Sequence, residues 1–98
     1  MKKTKINFNE IPRFIDLSGE DSTPENRSLV LANGIFKGVT TVELSTQLDP
    51  IVKALARGED VYVTHDEIKV MSEILAQIKL YVPWCQKMIL DYLNNKID

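Results

Sequence analysis

The chain opens on an alternation of apolar and polar positions. Between Lys5 and Leu17 the apolar residues fall at Ile6 and Phe8 and again at Ile15 and Leu17, with polar residues between them. A period of two turns one face of an extended segment toward a core. Pro12 interrupts the run and has no amide hydrogen for a ladder. The spacing therefore predicts an edge strand, or two short strands meeting at a bend. Ser18 to Thr23, polar and built around Gly19, follows as a loop.

From there the period lengthens to that of a helix. Thr23-Pro24-Glu25 offers a capping hydroxyl, a proline at the first helical position and an acid at the positive end of the dipole. Leu29, Ala32, Ile35 and Phe36 form the buried stripe, and Gly38 ends it. Asn33-Gly34 is also the favoured two-residue hairpin turn, so a hairpin at residues 29–36 is the alternative, with the cap residues favouring the helix. Leu44, Leu48, Ile51, Val52 and Leu55 predict a second helix over about 45–57, closed by Arg57-Gly58. Pro50 belongs in its first turn, with Ser45, Thr46 or Asp49 as the cap.

Val61-Tyr62-Val63 is β-prone but too short to stand alone, which predicts pairing with the N-terminal strand. Thr64, followed three residues later by Glu67, is a capping box and starts a third helix. Its stripe of Ile68, Met71, Ile74, Leu75, Ile78 and Val82 runs to Pro83, which kinks or ends it. A fourth helix carries Trp84, Met88, Ile89, Tyr92 and Leu93 and frays at Asn94 and Asn95. The expected fold is α+β and mainly α, with about four helices and a short N-terminal strand or hairpin pairing with residues 61–63. Residues 1–98 contain no repeat or linker and are expected to form a single domain.

Composition narrows the function classes. With 44% apolar and 27% charged residues the chain has the make-up of a folded globule, not of a disordered one. A net charge of −2 gives it no general attraction to phosphate backbones, which makes nucleic acid an unexpected partner. Cys85 is the only cysteine, so an intrachain disulfide cannot form and a reducing compartment is the expected home. Met1-Lys2-Lys3-Thr4-Lys5 resembles the charged start of a signal peptide, but Asn7, Asn9, Glu10, Pro12 and Arg13 break the apolar stretch that should follow. No apolar run approaches membrane-spanning length. Together these point to a cytoplasmic protein that does not enter the membrane.

The residues that could carry chemistry have simpler uses. A metal site needs three or four convergent ligands, and His65, Asp66 and Glu67 are accounted for as the first turn of a capped helix. Cys85, between Trp84 and Gln86, is expected to be a small buried hydrophobe. Gly34 and Gly38 do not frame a phosphate loop, and Glu59-Asp60 sits in a turn with nothing to split the two acids into proton donor and acceptor. The expectation is of no enzyme, no cofactor and no metal. Apolar surface remains. From residue 80 onward apolar side chains occupy more than one helical stripe, and a helix apolar on several sides needs cover on several sides. Tyr81, Trp84, Met88 and Tyr92, of types enriched at interfaces, are the candidate contact residues for a protein partner, a second copy of the chain included. Whether residues 80–93 are core or interface stays open at this level. Lys2, Lys3 and Lys5 mark the alternative, a small regulator acting at nucleic acid.

Lys5-Ile6-Asn7-Phe8-Asn9-Glu10-Ile11-Pro12, then Leu31-Ala32-Asn33-Gly34-Ile35-Phe36, then Gly58-Glu59-Asp60-Val61-Tyr62-Val63 before a capped helix, resemble small uncharacterised proteins encoded by phages and prophages. The likeness covers about residues 5–75, and the segment after Pro83 departs from it. It implies a bacterial or phage source and a role in a phage programme, and it carries no catalytic or binding residue across.

Overall fold

A computed structural model describes residues 2–79 and 81–97. The fold is α+β and mainly α: among the described residues, four helices pack around a two-stranded antiparallel sheet. Strand β1 (Lys3–Ile6) pairs with β2 (Val61–Thr64) in the register Lys3 with Thr64 to Ile6 with Val61. The pairing follows from the alternation. Ile6, Val61 and Val63 are buried on the inner face, while Lys3, Lys5 and Tyr62 stand on the outer one. The extended segment is shorter than the periodicity suggested. Phe8 leaves it in a single 3-10 turn (Phe8–Glu10), started by Asn7, whose side chain accepts from the Asn9 amide.

Helix α1 spans Arg27–Gly38, so the Asn33-Gly34 dipeptide lies inside a helix and the hairpin alternative is excluded. Two details of the expectation are corrected. The Thr23 hydroxyl does not cap this helix: it accepts from the Phe14 amide at 2.6 Å, and Asn26 occupies the cap position. The buried face is also different, with Leu31, Ala32 and Ile35 inside and Leu29 and Phe36 exposed. Rotating the stripe in this way buries Arg27, Ser28 and Gly34 as well.

Helix α2 (Val42–Ala56) starts earlier than its apolar spacing suggested, capped by the Thr41 hydroxyl on the Leu44 amide. Pro50 thus sits inside the helix and not in its first turn. A proline there removes one backbone bond, to Thr46, and the helix persists because Leu48, Val52 and Leu55 are buried on both sides of the break. Its end is as expected. Gly58 takes a φ of 76°, Gly58 N donates to Leu55 O and Glu59 N to Ala54 O, the paired bonds of a Schellman stop.

Helix α3 (His65–Ala76) begins at the capping box. Glu67 N donates to Thr64 Oγ1 at 3.2 Å, and Thr64 N donates to Glu67 Oε1 at 2.8 Å. It stops well short of Pro83, so Ile78 and Val82 are not part of its stripe. The physical reason lies in the next helix: Gln86 Nε2 donates to the carbonyls of Leu75 and Ala76, satisfying acceptors that a continuing helix would have used. Helix α4 (Pro83–Asn94) then starts with Pro83 at its first position, where a missing amide hydrogen costs nothing. Ile89 and Leu93 face a core shared with Ile6, Phe8, Leu31, Ile35, Leu55, Ile68 and Met71.

Candidate interaction surface

The 13–23 segment is a tied loop. Phe14 is buried, and Ile15 bridges to Asp21 in antiparallel fashion. Asp16 organises the tip: its Oδ1 accepts from Ser18 N at 2.9 Å, Ser18 Oγ at 2.6 Å and Glu20 N at 2.9 Å. Gly19 closes the turn with a φ of 90°, a conformation that suits glycine. These bonds favour the ionised carboxylate, so the Asp16 pKa lies below its usual range, with the Ser18 hydroxyl the leading cause. At the other end of the loop, Thr23 and then Arg13 pull Asp21 down to about 2. The outcome is mechanical. A short, hydrogen-bonded loop holds Leu17 at its tip with the side chain wholly in solvent, at 105% exposure.

Opposite this loop lies the start of α4. Val82 and Trp84 are 63% and 75% exposed, and between them and the loop runs a groove of about 260 Å³. Phe14, Ile15, Leu17, Cys85 and Met88 contribute its other apolar surfaces, with Asp16 and Ser22 its polar ones. Of eight large apolar side chains exposed among the described residues, Ile15, Leu17, Val82 and Trp84 all border this one groove. A wider depression of about 690 Å³ beside Gln77, Lys79, Gln86 and Lys87 is more open, and charged and amide side chains make up more of its lining. The groove by Trp84 is therefore the better candidate for recognition.

The four candidate residues divide between two jobs. Trp84 is exposed and Met88 half-buried, and both line the groove. Tyr81 packs inward, its ring 5.2 Å from that of Phe14 in an edge-on arrangement. The Tyr81 hydroxyl is buried with no hydrogen-bond partner among the described residues, and burial raises its pKa. Arg27 covers the same Phe14 ring at 5.5 Å, so Phe14 is clamped from two directions and gives the groove a firm wall. Tyr92 lies elsewhere: its hydroxyl accepts from Asn7 N at 3.0 Å and donates to Glu10 Oε1 at 2.9 Å, tying α4 to the N-terminal segment. Leu80, the first residue of the apolar segment, lies outside the described residues. Phe14, Ile15 and Leu17 also line the groove, and they were not among the candidates that the sequence offered. The available signal was an isolated leucine next to a polar loop, and nothing local links it to Trp84.

The residues weighed for chemistry have local partners of their own. His65 Nε2 stands 3.4 Å from Thr4 Oγ1, and Glu59 is bound by the Arg57 guanidinium at 2.6 Å, which lowers its pKa. Among the described residues no three His, Cys, Asp or Glu side chains converge on a point that could hold a metal ion. No helix among them is long and apolar enough to cross a membrane. Compared with protein-family models, with curated proteins and with solved structures, the chain matches none.

Proposed function

We propose that this chain is a non-catalytic protein-interaction module that acts through the apolar groove between the 13–23 loop and the start of α4. One observation carries the reading: Ile15, Leu17, Val82 and Trp84, far apart in the chain, are brought to a single groove and left exposed there. Their fractional exposures run from 58% to 105%, and apolar exposure gathered at one place in this way is a mark of interaction sites. The reading fits a cytoplasmic protein of a phage or prophage programme, a setting suggested by the resemblance of residues 5–75. It also moves the surface. The contact residues are Trp84 and Met88 with Ile15 and Leu17, while Tyr81 supports the groove from inside and Tyr92 holds the fold.

Photo-crosslinking tests it. A photoreactive amino acid placed at Leu17 or Val82 should give discrete adducts in cells that express the protein, and the same residue at Lys69 on the outer face of α3 should not. Equal yields at all three positions would remove the groove as a recognition surface. The nucleic-acid alternative has one observation in its favour: the strand register sets Lys3 and Lys5 on the exposed face beside Tyr62, with Lys5 directly opposite it. Stacking on Tyr62 with lysine contacts to phosphate should appear as single-strand binding that weakens steeply with salt.

A further inference from the structure

We infer that Asn33-Gly34 is a self-modification site that helix α1 keeps silent: a chain that stays open at α1 converts it through a succinimide to isoaspartate, after which the helix cannot re-form.

The reaction is intrinsic to the dipeptide. The Gly34 amide nitrogen, once hydroxide has taken its proton, bonds to Asn33 Cγ. The Cγ–Nδ2 bond breaks, and the leaving nitrogen takes a proton from water and departs as ammonia. Water then opens the five-membered ring at either carbonyl, giving aspartate or isoaspartate, with no change of oxidation state. Glycine matters because, without a Cβ, it leaves the attacking nitrogen unhindered and its backbone free to turn. Asn33 is the only asparagine of the chain followed by glycine; Asn7, Asn9, Asn26, Asn94 and Asn95 precede Phe8, Glu10, Arg27, Asn95 and Lys96.

Burial does not protect the side chain. Asn33 is exposed and lines an open depression with Lys37 and Ile78, so water and hydroxide reach its amide. The backbone protects it instead. Within α1 the Gly34 N–H is directed to the carbonyl of Val30, its i−4 partner, and ring closure needs that bond broken and the Asn33 ψ moved out of the helical well. Such a rotation would carry Gly34 and Ile35 out of the core, where both are buried along with Ala32 on the other side. The reaction therefore draws only on the fraction of chains in which α1 is open.

The two products have different fates. Isoaspartate routes the main chain through Cβ and Cγ and so adds one atom to it at position 33. The i→i−4 bonds that span this position lose their register, and Leu31 and Ile35, both fully buried in the native fold, can no longer face the core from one helix. Aspartate leaves the main chain unchanged and stands one turn before Lys37, an opposite charge at i,i+4, so α1 can re-form around it.

The test incubates the intact protein in mildly alkaline buffer, with and without guanidinium chloride, and follows the amide-to-acid mass gain by peptide mapping. In denaturant Asn33 should convert faster than any other asparagine. In native buffer its rate should fall at least about tenfold, the ratio that an open-to-closed population of about 1:10 already gives. Ile35→Val leaves the dipeptide intact but loosens the packing of α1, and should speed the native reaction about 2- to 10-fold while leaving the rate in denaturant unchanged. Asn33→Gln, at an exposed position, should fold and lose the modification. On return to native buffer, chains carrying aspartate should refold and those carrying isoaspartate should not, as read by size-exclusion chromatography and fragmentation of each fraction. Equal rates in native buffer and denaturant, or a native rate that Ile35→Val does not move, would overturn the protection by α1. Isoaspartate chains that refold with the parent's stability would overturn the one-way step.

Discussion

Gly38, the last residue of α1, sets two opposing effects against each other. A Cβ at this position would stand well inside van der Waals distance of Ile74 Cγ2 and 3.4 Å from Ile78 Cδ1. Gly38→Ala should gain helix propensity, at most about 1 kcal/mol and less at a helix end. Against that stands overpacking, typically about 1–3 kcal/mol. The second effect should win here, because Ile74 is β-branched, sits on a helix and has one strongly preferred χ1, so its Cγ2 cannot swing aside. The expected net result is a loss of about 1–2 kcal/mol, which in a domain of this size lowers the melting temperature by roughly 4–8 °C per kcal/mol. Urea melts at constant slope measure it directly. Ile74→Leu moves the branch one carbon outward and should relieve the contact, so the double variant should exceed additivity by about 0.5 kcal/mol or more. A Gly38→Ala protein as stable as its parent would show that α1 and α3 are not packed this closely.

Thr64→Ala should cost about 0.5–2 kcal/mol by removing the cap of α3, and adding Glu67→Ala should cost less than the sum of the two single changes; full additivity in urea melts would dissolve the capping box. Tyr92, its pKa pushed up to about 12 by burial and then by its bond to Glu10, is held protonated in the fold, so its contribution is complete below its ordinary value of 10.0 and is lost as pH rises from there toward 12. Tyr92→Phe should flatten that alkaline decline in urea melts, and an unchanged decline would assign it to another group. Among the described residues Arg27 is buried without a carboxylate partner and its Nε is unpaired, and burial lowers its pKa; its closest hydrogen bond there is to Pro12 O at 3.1 Å. Arg27→Met keeps the aliphatic stem and removes the desolvated charge, so stability should be unchanged or higher by up to about 2 kcal/mol, and a loss larger than that would mean the guanidinium is a net stabiliser.

What could be read from the residues alone was the chemistry that acts over a few positions. Thr64 and Glu67 cap each other because a hydroxyl and a carboxylate three residues apart each reach the other residue's backbone amide, whatever surrounds them. Gly58 stops α2 because few other residues adopt its positive φ. Val61 and Val63 had to find a partner strand, since three β-prone residues cannot bury one face by themselves. Pro83 marks a helix boundary for an equally local reason.

The tertiary structure decided what depended on neighbours distant in sequence. Asn33-Gly34 is helical because Leu31, Ala32 and Ile35 reach the core only from a helix, and Leu29 and Phe36 are outside because that core lies about a quarter-turn from the stripe their spacing suggests. Pro50 is tolerated because buried residues on both sides hold α2 together, a gain no propensity scale contains. Gln86, a residue with no apolar signal, ends α3 by reaching back to its last carbonyls. The groove is the extreme case: Leu17 and Trp84 carry no shared periodicity, and they border one surface only because Phe14, gripped by Tyr81 and Arg27, anchors the loop against the start of α4. Periodicity reports which side of an element faces a core; it holds no information on which two elements meet, because that is set by the packing of the whole chain.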